Sequence, residues 1–157
     1  MGESDGVTVF LIDDQRYALR LSCVERIVRM VEITPLPKAP DIVMGVINLQ
    51  GRVLPIFNMR KRFGLAERVP DLNDQLIIAR ASHRSVGLFV DEVVGIEERR
   101  GEETVRMGTI LPGMEYVEGV MKLEDGMILI HDLDLFLSLD EEIALAGALE
   151  MRLETRL

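Results

Sequence analysis

The sequence predicts a mainly β protein: two similar small β-barrels with an apolar seam between them, followed by a C-terminal helix. Three observations carry that prediction. The first half of the chain recurs in the second. Short strand-like runs come evenly spaced between Gly and Pro turns. A helical apolar period appears at the chain end. The repeat is the strongest of the three. Val7-Thr8-Val9-Phe10-Leu11-Ile12 aligns with Leu76-Ile77-Ile78-Ala79-Arg80-Ala81, and residues 19–27 align with 88–96, both at an offset of 69 positions (7 to 76, 19 to 88). Residues 45–49 and 53–58 align with 119–123 and 127–132 at an offset of 74 (45 to 119), so the second half holds about five extra residues before that point. Repeated strand units imply repeated modules, and the seam between them is a natural groove. Closing each sheet also removes exposed edges.

The elements follow in order. Residues 7–12 read as a strand, Asp13-Asp14-Gln15 as a turn, Tyr17 to Leu21 as the return strand and Val24 to Val31 as a third. The stretch from Ile33 to Pro40 holds Pro35, Pro37 and Pro40; proline lacks the donor that a ladder needs, so this is an irregular connection. Pro40 starts a short helical turn through Met44. Gly45 to Leu49 and Val53 to Asn58 make a hairpin around Gln50-Gly51, where Gly supplies the positive φ. Arg60 to Phe63 reads as one helical turn closed by Gly64.

Polar residues 68–73 join repeat 1 (about 7–66) to repeat 2 (about 75–138) in one domain of residues 1–157. The second half repeats the plan with strands at 75–81, 86–91 and 93–99, a loop-rich stretch from Gly101 to Glu118, and a hairpin tipped by Glu124-Asp125-Gly126. The C-terminal helix spans about 140–152. Asp140 is its N-cap, and Ile143, Leu145, Leu149 and Leu153 form the face that packs back on the barrels.

Composition narrows the function. The chain has 157 residues, a net charge of −9 and a pI of about 4.8. Binding nucleic acid needs a basic stripe, and Arg60-Lys61-Arg62 reads instead as a solvated helical turn. One cysteine, Cys23, excludes an internal disulfide and any CxxC metal site; it sits in an apolar strand unit and reads as an inert thiol. No apolar run reaches the length of a membrane span, and the first six residues do not resemble a signal peptide, so the expectation is a cytoplasmic protein without direct membrane insertion. His131-Asp132, with Asp134 and Asp91, is the nearest approach to an acid–base or metal cluster. Asp132 aligns with Asn58 across the repeat, however, and so reads as a strand-end residue. Neither a catalytic group, a metal site nor a cofactor is expected.

The segment from Pro37 to Ile56, Pro-Lys-Ala-Pro-Asp-Ile-Val-Met-Gly-Val-Ile-Asn-Leu-Gln-Gly-Arg-Val-Leu-Pro-Ile, resembles the central signature of the CheW family, the coupling proteins of chemotaxis. Tyr17-Ala18-Leu19 with Val24-Glu25-Arg26-Ile27 is similar to the family's opening motif. Val90-Asp91-Glu92-Val93, Val117-Glu118-Gly119-Val120 and Leu129-Ile130-His131-Asp132-Leu133 are similar to its later ones. The resemblance runs from about residue 7 to residue 150. It implies two five-stranded barrels of SH3-like topology and a non-catalytic adaptor that couples chemoreceptors to the histidine kinase CheA, whose regulatory domain shares the fold. The adaptor would be recruited to receptor arrays, with ring assembly alongside kinase domains left open. A related scaffold of a non-motility chemosensory pathway is the alternative.

The resemblance also implies sites. A receptor hairpin tip would lie in the groove against Val24, Ile27, Val28, Asn48, Leu49, Gln50, Gly51, Val90 and Val93. The kinase's regulatory domain would meet Ile33, Leu36, Met44 and Val53, with Arg106, Ile110 and Leu111 in the other barrel. Residue-level readings stand beside these. Apolar positions such as Val24 and Val90 also suit plain core packing, Asn48 suits a bond to its own turn, and Gly45 suits a close backbone approach. The family usually carries Arg where this chain has Gln50, which removes a fixed charge from the turn.

Overall fold

The computed structural model describes residues 6–98, 102–104, 117–123 and 126–155. The first half forms β1 (Gly6–Ile12), β2 (Gln15–Arg20), β3 (Val24–Arg29), β4 (Val43–Leu49), β5 (Arg52–Asn58) and the one-turn helix α1 (Met59–Arg62). The second half forms β6 (Gln75–Arg80), β7 (Ser85–Val90), β8 (Glu92–Glu98), β9 (Glu102–Thr104), β10 (Val117–Leu123), β11 (Gly126–His131) and the helix α2 (Leu139–Thr155). The hairpin turn at Gln50-Gly51 has positive φ at both residues, +53° and +86°, as a two-residue turn between twisted strands requires. The expected helical turn after Pro40 is shorter: Val43 and Met44 already belong to β4.

Each sheet draws strands from both halves of the chain. One sheet runs β8-β1-β2-β11-β10-β9 and the other β3-β6-β7-β5-β4. Replacing every strand of the second by its repeat counterpart gives β8-β1-β2-β11-β10, which is the first sheet without β9. The register obeys the same operation. Val7 pairs with Arg20 and Leu76 with Phe89; Val7 pairs with Glu97 and Leu76 with Val28. Even the bulges match, with Glu25 and Val94 skipped in one pair of ladders and Met44 and Glu118 in the other. The repeat is therefore a structural pseudo-twofold, but a repeat and a sheet are not the same unit. The chain leaves the first sheet after β2 and returns to it after β7.

Among the described residues, neither sheet closes through a ladder between its first and last strands. In the five-stranded sheet side chains span the gap: Arg26 Nη1 donates to Gln50 Oε1 at 3.4 Å, and Arg52 lies 3.5 Å from Glu25.

Alternation along the strands sorts the apolar residues into three clusters. Ile47, Leu54, Ile56, Leu76, Ile78 and Phe89 fill the inside of the five-stranded sheet, while Val7, Val9, Ala18, Met121, Ile128 and Ile130 fill the other. The intervening positions, among them Phe10, Leu19, Phe57, Ile77 and Leu88, form the largest cluster between the sheets, together with Leu145 and Ala148 of α2. Burying a side chain of this size contributes about 1.5–3 kcal/mol, so the shared cluster binds the two sheets into one folding unit.

The start of α2 differs from the sequence reading. Ser138, not Asp140, caps it: Ser138 Oγ accepts from Glu141 N at 3.1 Å, and Glu141 Oε1 accepts from Ser138 N at 2.9 Å. This reciprocal pair is a capping box, which serves two otherwise orphaned amides at once. Ile143, expected on the packed face, is 63% exposed.

Gly45 fastens the Pro-rich connection to β4. Thr34 and Val46 exchange backbone hydrogen bonds of 2.8 Å in both directions. A Cβ on Gly45, whose φ is +152°, would overlap the Thr34 carbonyl oxygen and lie 2.8 Å from Ile33 Cγ2. Gly45→Ala is expected to cost about 1–3 kcal/mol. Urea unfolding should show a lower midpoint with an unchanged slope, and an unaltered midpoint would mean that the connection is not held here.

Candidate partner-docking site

Edge strand β3 lies against β6, and its register decides which way each residue faces. Val24 and Ile27 pair with Ala79 and Ile77, both in the cluster between the sheets, so Val24 and Ile27 face the seam. Val24 packs on that cluster, whereas Ile27 stays 41% exposed. Val28 pairs with Leu76 and packs inside the five-stranded sheet. On the hairpin, Asn48 and Gln50 are exposed and Leu49 packs inward with Val28. Asn48 Oδ1 accepts from Gly51 N at 2.9 Å, so this side chain fixes its own turn. Arg26 and Glu25 hold the hairpin tip to β3 through Gln50 and Arg52.

The pseudo-twofold adds a residue that the sequence reading passed over. Ile96 occupies the place of Ile27, pairs with Thr8 and is 63% exposed. Val93 occupies the place of Val24 and packs on the same cluster between the sheets. Thus the two edge strands, β3 and β8, present matching apolar residues from the faces that line the seam. The offset of 69 positions already pointed to Ile96, since 27 maps to 96.

Other sequence-selected residues separate. Val90 is 1% exposed and belongs to the cluster between the sheets, so its side chain offers no surface to a partner. Leu36, at 8%, is likewise core: the Pro-rich connection folds this side chain inward rather than displaying it. Ile33 and Met44 are half-buried over the inside of the five-stranded sheet. Val53 pairs with Asn48 and packs toward the seam, so it shares its face with the hairpin tip rather than with Met44. Arg106, Ile110 and Leu111 lie outside the described residues.

A charge network anchors the point where the chain returns to the first sheet. Asp91 follows β7, and its backbone amide donates to Leu11 O at 3.1 Å. Its carboxylate accepts from Arg60 at 2.9 Å and 3.0 Å, from Arg68 at 2.8 Å and from Asp13 N at 2.9 Å. Arg60 also pairs with Asp13 at 2.7 Å, and Arg68 with Asp74 at 2.7 Å. Burial pushes both Asp91 and Asp74 up, but the hydrogen bonds and arginine charges outweigh it and hold both carboxyls below their usual range. The network ties the β1–β2 turn, α1, the linker and the β7–β8 junction together.

The histidine is a core residue. His131 stands where the other half has Phe57 and is 2% exposed. Its ring packs 4.6 Å from Phe63, 5.3 Å from Tyr17 and 5.8 Å from Phe136, measured between centroids. Neither ring nitrogen has a hydrogen-bond partner among the described residues. Asp132 caps the short turn at Leu133–Leu135 by accepting from Asp134 N, and Asp134 accepts from Ser82 N and Oγ at 2.7 Å. Both acids are thus engaged away from the imidazole, and the arrangement carries no proton relay. Cys23 Sγ donates to Arg20 O, and burial pushes its thiol up to about 11, which keeps the reactive thiolate scarce near neutral pH. Among the described residues no three His, Cys, Asp or Glu side chains gather to hold a metal, and no helix is long and apolar enough to cross a membrane.

Comparison with known proteins points the same way as the fold. A family model described as a CheW-like domain matches residues 6–142. The chemotaxis protein CheW of Rhizobium meliloti is 34% identical over 127 residues, spanning 80% of this chain and 82% of its own. That of Thermotoga maritima is 37% identical over 90 residues, spanning 57% and 59%. The crystal structure of the scaffolding protein TtCheW from Thermoanaerobacter tengcongensis matches with a TM-score of 0.78 at 28% identity, covering 88% of this chain and 96% of that one.

Two stability measurements check these assignments. In Asp91→Ala, Arg60, whose side chain is 5% exposed, loses one of its two carboxylate partners. The expected loss is about 2–3 kcal/mol in urea unfolding, and a loss under about 0.5 kcal/mol, typical of a surface change, would remove the network from the fold's supports. For His131, burial pushes the imidazole down to about 3 from its ordinary 6.5. The unfolded chain takes up this proton as pH falls through 6.5 while the folded chain does not, so stability is lost progressively between 6.5 and about 3. Replacing His131 with Phe, as at Phe57, should flatten the loss between pH 7 and 5 by up to about 1.4 kcal/mol per pH unit. Parallel pH profiles for the two proteins would contradict a buried neutral imidazole.

Proposed function

The chain belongs to the CheW-like family of chemotaxis scaffolds, and from that membership we propose that it couples chemoreceptors to the histidine kinase CheA. The receptor's helical hairpin tip lies in the seam, and the kinase's regulatory domain docks beside the Pro-rich connection. One observation supports the reading above the rest. Ile27 and Ile96 are exposed apolar residues at matching positions of the two edge strands, 41% and 63% accessible, on faces directed to the seam. Exposed apolar residues of this kind suit the apolar side of an amphipathic helix.

Val24, Val28, Asn48, Leu49, Gln50, Gly51 and Val93 complete the receptor side. Some act by shaping the wall and the turn rather than by direct contact. Val90 is left out because its side chain is in the core. Gln50 is neutral, but Arg26 stands 3.4 Å from it, so a guanidinium from the neighbouring strand supplies the positive charge at this tip. The kinase side uses Ile33 and Met44, which are half-buried at the edge of the five-stranded sheet. Val53 belongs with the hairpin and Leu36 with the core. The protein works in the cytoplasm, where receptor arrays recruit it, and its role is assembly rather than catalysis.

Two substitutions separate the two partners. Ile27→Asp is expected to weaken binding of a receptor hairpin tip at least about tenfold, the scale of a buried apolar anchor, with CheA regulatory-domain affinity unchanged. Ile33→Asp should do the reverse. Isothermal titration of each folded variant against both partners reads the result, and equal loss of both partners in either variant contradicts the division.

A further inference from the structure

Helix α2 has two apolar faces. Leu145, Ala148 and Leu149 pack on the cluster between the sheets. Leu139, Ile143, Gly147 and Met151 recur at every fourth residue on the other side, with Leu139, Ile143 and Met151 at 76%, 63% and 47% exposure. A row at this spacing follows the helix closely and runs roughly 18 Å, at 1.5 Å per residue. Its outward direction is fixed. The capping box at Ser138 sets the first turn, Glu141 pairs with Arg62 at 2.7 Å, and Glu142 pairs with Arg84 at 2.6 Å.

Gly147 sits in the middle of the row. A helical glycine costs about 0.5–1 kcal/mol relative to alanine, yet a Cβ here would meet nothing within 4 Å. Packing within the described residues therefore gives no reason for the glycine. A missing Cβ does let a second helix backbone come close. Asp140 and Glu150, the exposed charges of this face between Leu139 and Met151, are both acidic. A parallel second copy would set these acids against themselves, and an anionic lipid surface would repel them.

We propose that this stripe is a docking surface for an amphipathic helix of another protein, one that carries Lys or Arg beside its own apolar row. Charge complementarity selects that occupant, and the glycine sets the crossing point. None of the residues assigned above to receptor or kinase takes part, so this inference and the adaptor reading stand or fall separately.

The probe is a synthetic helix of about 18 residues, long enough to cover the stripe, with leucines at every third and fourth position and lysines beside them. A control peptide carries glutamates in place of the lysines. The full chain is titrated with each peptide and followed by amide NMR. The expected result is saturable one-to-one binding of the lysine peptide, with shifts at Leu139, Ile143, Gly147 and Met151, and none of the glutamate peptide. Ile143→Ser and Gly147→Leu should each weaken binding about tenfold or more. Ile143→Ser alters an exposed side chain, so its fold is preserved and circular dichroism checks this. Three results overturn the proposal: no binding, equal binding by Ile143→Ser, or a wild-type dimer that Ile143→Ser dissolves, which would make a second copy the occupant.

Discussion

The pairing of β1 with β8 and of β3 with β6 is the constraint on which the rest of this structure depends. Each pairing joins a strand of one repeat to an edge strand of the other. Without it, β3 and β8 would each be a lone strand after a sharp crossing, and neither half could complete its sheet. With it, β3 and β8 become sheet edges held in fixed register beside the seam. That register turns Ile27 and Ile96, each on its own sheet, toward the seam. The proposed docking surface thus depends on strand exchange between repeats rather than on either repeat alone.

Energetics agree with this arrangement. The largest apolar cluster belongs to both sheets, and α2 covers part of it. Two crossings of the chain need anchoring, and the second receives it from Asp91, where two arginines and a backbone amide converge on one carboxylate. Because Arg60 is buried, this pairing acts mainly as a requirement: keeping it adds modestly to stability, and breaking it leaves a charge in the interior. The two halves diverge where one partner of each residue pair changes chemistry. Phe57 and His131 occupy equivalent places, but only the imidazole makes stability depend on pH. Exposed apolar residues, by contrast, survive the comparison at Ile27 and Ile96, where core packing does not demand them.

Much of the fold could be read in the sequence, for identifiable reasons. The repeat was legible because apolar side chains and glycines recur at fixed offsets, and a two-residue turn at Gln50-Gly51 has few alternatives. The CheW-like resemblance and the family agree. Strand exchange was not legible, since alternation along a strand says which residues face a core but not which strand lies beside it. Leu36 and Val90 show the same gap: an apolar residue in a Pro-rich connection or at a strand end reads alike whether it is displayed or buried. On α2 the sequence holds two apolar rows; Leu145 and Ala148 pack on the cluster between the sheets, and the capping box and the ion pairs of Glu141 and Glu142 hold the helix that way round. Ser138 was missed as a cap because Asp140 is an equally good capping residue by type. Ile96 was within reach, since its place follows from Ile27 and the repeat offset.

Isoleucine methyl NMR of the full chain, titrated with a receptor hairpin tip, tests the seam most directly. If the strand exchange builds one groove, the Ile27 and Ile96 methyl signals shift together and saturate at the same concentration, while Ile143 does not move. Saturation at Ile27 with Ile96 unmoved would contradict a groove shared by both sheets and would confine the receptor to one of them.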